Sequence, residues 1–163
     1  MGSKGLETER VESILAGFDT TMMVTSGPAG LHARPMHVVQ RAPGGVVYLV
    51  SGTDSAKVAE LEADADVLLA FQDSRQFLVL AGRARLTRDR ELIGRLWSDA
   101  WRVWFPQGKS DPTICLIQVE AREGEYWDNS GTRGLKYAFQ AARAYATGQT
   151  PQPDPGQHGK VSI

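Results

Sequence analysis

Six apolar runs of five to ten residues, separated by polar or glycine-rich stretches, recur between Thr21 and Ala121. They are "TMMVT" (21–25), "LHARPMHVV" (31–39), "VVYLV" (46–50), "VLLAF" (67–71), "FLVLAGRARL" (77–86) and "ICLIQVEA" (114–121). "EYW" (125–127) reads as a short further addition. "SGPAG" and "APGG" carry the turn chemistry of hairpins, and "QDSRQ" joins the fourth and fifth runs with a short polar link. Helical spacing appears at about 55–63 and 89–104, and earlier at 8–18, where Val11, Ile14, Leu15 and Phe18 follow Thr8. Hairpins with occasional helices, instead of strict βαβ alternation, predict a mainly β fold: a closed or nearly closed antiparallel β-barrel with α-helices. A chain of 163 residues suits one such domain, 1–163, with a core of its own.

Several function classes drop out on composition and motif. The formal net charge is −1, so bulk basicity gives no reason to expect a nucleic-acid surface. No stretch approaches the roughly 20 apolar residues of a membrane span, and "MGSKGLETERV" lacks the apolar core of a secretory signal. These readings predict a cytoplasmic protein. The single cysteine, Cys115, excludes an internal disulfide and a cysteine-rich zinc site, and within "TICLIQV" it reads as a small buried filler. His32, His37 and His158 have no ligand-like spacing, so no metal is expected. His37 reads as a hydrogen-bonded structural histidine or, in the other reading, as a proton donor beside a bound ligand. No G-x-S-x-G elbow appears, and "SGTDSAK" lacks the Lys-Ser/Thr pair of a P-loop.

The chemically odd segments are the second run and the loop after the third. With period two, His32, Arg34, Met36 and Val38 share one face of the strand. Pro35 cannot donate to a ladder and so needs an edge or a bulge, while Arg34 suits bidentate contact with phosphate. In "VSGTDSAKVAEL" (50–61), Asp54 and Ser55 are good N-cap residues, yet Lys57 falls in the first helical turn, where a cation opposes the helix dipole. A capped helix with a solvated lysine is one reading. The other gathers loop hydroxyls, helix amides, Arg34 and Lys57 around an anion at one end of the barrel.

Ile93, Trp97, Trp101 and Trp104 recur at i, i+4, i+8 and i+11, which would align three tryptophans on one helical face for core or dimer packing. Leu135, Phe139, Ala142 and Ala146 predict a C-terminal helix at 133–147 packed on the barrel, with Lys136 and Arg143 on its solvated side. Pro151, Pro153 and Pro155 then stiffen an extended tail to residue 163.

"LHARPM", "SGTDSAKVAEL", "AGRARL", "LWSDAWRVWFPQGKSDP", "EYWD" and "GQHGKVSI" occur in that order. Together they resemble the general stress protein group of the pyridoxamine-phosphate-oxidase-like flavoproteins over residues 8–163. The resemblance implies an FMN-binding split β-barrel, with flavin mononucleotide (FMN) held at a homodimer interface. By it Arg34, Ser55 and Lys57 are phosphate ligands, and Asp54 joins the cofactor loop. Pro35 and Met36 lie along the flavin ring, and Val50 and Ser51 meet the ribityl chain or ring. Trp104 and Trp127 are the aromatic residues offered by a partner subunit. It also implies redox chemistry on a small molecule with a reduced nicotinamide as donor. Non-catalytic flavin storage or sensing is the alternative, and deazaflavin, haem or FAD are alternative ligands. No second phosphate cradle is visible at the C-terminus, so oxidation of pyridoxamine phosphate is not expected.

Overall fold

In the computed structural model, which describes residues 3–148, 150 and 157–163, the first two runs become β1 (Thr20–Gly27) and β2 (Gly30–Ala42). They pair as a hairpin whose last rung is Gly27–Gly30, so Pro28 and Ala29 make the turn. β3 (Val46–Gly52) follows through Pro43, Gly44 and Gly45, where both glycines have positive φ (77° and 70°) that other residues rarely adopt. β4 (Asp66–Gln72) and β5 (Gln76–Thr87) are joined by a turn in which Asp73 Oδ1 accepts from the amides of Arg75 and Gln76.

β6 (Ile114–Asp128) is one continuous strand that absorbs "EYW". Its first half pairs with β3 and its second half with β7 (His158–Ser162), while β5 runs along both halves. The order β3-β2-β1-β4-β5-β6, with β6 returning to β3, closes a six-stranded antiparallel barrel, and β7 extends the free half of β6. Residues 158–162, expected as extended tail, are thus a strand. Pro151, Pro153 and Pro155 lie outside the described residues.

The barrel interior holds Met23, Val38, Leu49, Leu69, Leu80 and Val119, all buried, and Val11, Ile14, Leu15 and Phe18 join the same cluster. The helix that supplies the first three of these is α1 (Ser3–Leu15), which starts earlier than 8–18 and leaves Phe18 in the following turn. Arg10 ion-pairs with the buried Asp128, fixing α1 to the end of β6. A second cluster lies outside the barrel, where Val50, Ile114 and Leu116 meet Ile93, Trp101 and Phe105.

The predicted helix over 89–104 is two pieces, α3 (Arg90–Leu96) and a 3-10 turn (Asp99–Val103). Trp97 takes extended backbone (ψ 135°), and Ser98 then caps the new turn by accepting from the Ala100 amide. The break disperses the tryptophan stripe: Trp101 is 1% exposed, Trp104 is 60% exposed, and Trp97 lies edge-on to Trp101. The last helix, α4 (Thr132–Thr147), also departs from expectation. Leu135, Phe139 and Tyr145 are exposed and Ala144 is buried, so its apolar stripe is not packed on the barrel of its own chain.

Candidate functional site

The hairpin between β2 and β3 does not run its full length. Pairing starts beside the turn, slips at Val39, reaches Val38–Leu49 and stops there. Beyond that point β2 continues with β1 alone and β3 with β6 alone. Pro35, unable to donate, falls in the segment that has lost its β3 neighbour, which satisfies its need for an edge. The divergence opens a cleft of about 500 Å³ lined by Arg34, Pro35, Met36 and His37 of β2 and by Val50, Ser51 and Gly52 of β3. Asp54, Ser55, Lys57, Trp104, Phe105 and Thr113 complete its walls.

The cleft is polar at one end. α2 (Ala56–Ala63) begins there, with Ser55 at its N-cap position but making no side-chain cap. The Ser55 hydroxyl instead lies 3.0 Å from that of Ser51, and Lys57 Nζ donates to Ser51 Oγ at 3.3 Å. Burial, and after it the positive charge of Arg34, lowers the Lys57 pKa from its ordinary value. Asp54 and Glu60 oppose that shift without cancelling it, so the ammonium is only partly compensated. An uncapped helix start, two hydroxyls and two cations make a ready anion site.

Arg34 is held from behind by a residue that the sequence pattern did not single out. Its Nη2 donates to Glu60 Oε2 at 2.7 Å and its Nη1 donates to the hydroxyl of Thr25. Thr25 in turn donates to Glu60 Oε2 (2.6 Å), and His32 Nδ1 lies 2.5 Å from Oε1. Glu60 is 7% exposed. Hydrogen bonds from Thr25, His32 and Arg34 hold its carboxyl down to about 2, against the opposing effect of burial. On sequence Glu60 reads as the polar side of a helix whose apolar side is Val58 and Leu61, and only the tertiary fold brings it to Arg34. The alternation that put His32 and Arg34 on one face was the available clue.

The structure thus brings Arg34, Pro35, Met36, Val50, Ser51, Asp54, Ser55 and Lys57 to one cleft. Trp104 joins them from the same chain. Trp127 is not among the lining residues; it stacks on His158 at 5.2 Å. His37 is exposed on the cleft wall and is not the hydrogen-bonded structural histidine expected. Cys115 is buried, as the filler reading requires, and burial raises its thiol pKa. Among the described residues no group of three or more His, Cys, Asp or Glu is placed to hold a metal ion, and no helix is long and apolar enough to cross a membrane.

Barrel closure, together with the seam between β2 and β3, defines a split-barrel protein with two cations, Arg34 and Lys57, on the wall of its cleft. Residues 7–152 match the pyridoxamine 5'-phosphate oxidase-like family, and the chain belongs to it. General stress protein 26 of Bacillus subtilis is 27% identical over 85 residues, 49% of this chain and 60% of that protein's length. A putative general stress protein 26 from Jannaschia shares the fold over 98% of this chain and 99% of its own, at TM-score 0.74 and 22% identity. The general stress FMN/FAD binding protein of Xanthomonas citri is 27% identical, with TM-score 0.66 over 79% of this chain and 92% of its own.

Proposed function

We propose that the cleft binds FMN, phosphate inward, and that the protein is a flavin-dependent oxidoreductase acting on a small molecule. The observation that carries this reading is the convergence of Arg34, Lys57, Ser51 and Ser55 at the start of α2, at the end of a cleft whose other walls include Pro35, Met36, Val50, Trp104 and Phe105 beside the polar His37, Asp54 and Thr113. A terminal phosphate would supply the negative charge that Lys57 lacks. The apolar walls suit a flat ring, and about 500 Å³ lies within the roughly 300–1,000 Å³ of small-ligand sites. The flavin-binding relative in Xanthomonas citri supports the choice of ligand.

When bound, the flavin would supply the electron-transfer chemistry. This chain's residues would bind and orient it. Arg34, Lys57, Ser51 and Ser55 would hold the phosphate, Pro35 and Met36 would lie along the ring, and His37 stands where it could exchange a proton at the cleft wall.

The working form we propose is a homodimer. Met22, Ala70 and Val79 are cross-strand neighbours on the outer face of β1, β4 and β5, and Phe77 stands beside Trp127. Met22, Phe77 and Trp127 are all exposed. If two such faces pack about a two-fold axis along β4, β6 of one copy faces β2 of the other. Trp127 then approaches the partner's cleft, the role the family resemblance gives it. The reading is tested on purified protein. Released ligand should have the mass and spectrum of FMN, and the holoprotein should oxidise a reduced nicotinamide with a quinone or nitro acceptor. Another ligand would overturn the cofactor assignment, and full flavin loading without turnover on any acceptor would make the protein a flavin holder.

A further inference from the structure

We infer that Glu60 is the positioning residue of the anion site, fixing the Arg34 guanidinium from inside the barrel mouth so that its remaining N–H groups serve the cleft. The inference rests on reading the cleft as a phosphate site. Arg34 lines the cleft and Glu60 does not. A guanidinium has five N–H donors in a rigid fork. One donates to Thr25 and another to Glu60, and three others remain beyond these two contacts.

Glu60 is itself fixed. Its Oε2 accepts from both Thr25 and Arg34, and Oε1 lies against His32 Nδ1. Four side chains from β1, β2 and α2 are thereby locked together, and Lys57 sits one helical turn before Glu60 on the same short helix. That turn couples the two cations: Lys57 reaches the cleft directly, while Glu60 sets the angle of the arginine opposite.

Charge alone predicts the opposite behaviour. A carboxylate close to an anion site repels the anion, so deleting it should tighten FMN binding. Positioning predicts weaker binding, because an untethered arginine must be ordered when the phosphate arrives. The sign of the effect therefore separates the two accounts.

The experiment compares dissociation constants of FMN and riboflavin, which lacks the phosphate, for wild type, Glu60→Ala and Thr25→Val, with thermal melts of each ligand-free protein. Glu60→Ala should weaken FMN at least tenfold and riboflavin less than threefold, so the preference for FMN collapses. A general loosening of the fold would weaken both. Thr25→Val keeps the shape and removes only one anchor, so it should give a smaller loss in the same direction, and it serves if Glu60→Ala does not fold. If wild type prefers FMN and the variants keep or increase that preference, Glu60 is not a positioning residue while the phosphate reading stands. If wild type binds FMN and riboflavin equally, the phosphate reading and this inference both fall.

Discussion

Replacing Lys57 by methionine tests the anion site from the side that carries its cost. The substitution keeps most of the side-chain stem and removes the ammonium, which donates to Ser51 and stands with Arg34 on the cleft wall. A hydrogen bond to a charged group contributes about 1.5–3 kcal/mol. With about 1.4 kcal/mol per tenfold, FMN should bind roughly 10–150 times more weakly. Riboflavin should change less than about threefold, since it has no phosphate to lose.

The ligand-free protein should respond in the other direction. Burial and the Arg34 charge lower the Lys57 pKa, so the folded state holds this cation less well than the unfolded chain does. At neutral pH that is a cost of folding, and Lys57→Met removes it. The melting temperature of the flavin-free variant should therefore equal or exceed that of wild type. Fluorescence titration with both flavins and thermal melts of flavin-free protein measure the two quantities. Equal weakening of FMN and riboflavin, or a clearly lower melting temperature, would refute the reasoning.

Two other outcomes follow from the same contacts. Glu60 binds its proton only near about 2 in the folded protein against an ordinary 4.5, so the unfolded chain takes up protons first as pH falls. Stability from this carboxylate is complete above about pH 4.5 and is lost towards pH 2; urea midpoints across that range should drop in wild type and less in Glu60→Gln. Phe77→Asp puts a charge on the outer sheet face beside Trp127, and light scattering should then report a monomer with reduced FMN retention, whereas an unchanged dimer would place the interface elsewhere.

Much of the barrel was legible because each run alternates or stays apolar over a strand's length and ends in a turn with a mechanism. Pro35 and Lys57 stood out for a related reason: each conflicts with its local element, a proline in a ladder and a cation at a helix start, whereas Arg34 stood out by its chemistry and Ser51 only through the family resemblance. What escaped the sequence depends on tertiary contact. Glu60 looks like any solvated helix residue until Arg34 arrives from 26 positions away. The tryptophan spacing suggested one helix because periodicity cannot register the new cap at Ser98. α4 reads as a packed helix from its stripe, but a stripe states only that one side is apolar and not which surface it meets. β7 was hidden because five residues after a proline-rich stretch carry little pattern of their own, and only the free half of β6 gives them a partner.

The seam between β2 and β3 separates durability from adaptability. The cylinder is closed by β3 joining β6, so the forfeited rungs lie where no other strand relies on them. The slip at Val39 sets where the fork begins. Moving that slip by one or two residues would lengthen or shorten the receptacle while Leu80 and Val119, on strands away from the fork, stayed undisturbed inside. A scaffold built this way can exchange one guest molecule for another by edits at a single junction.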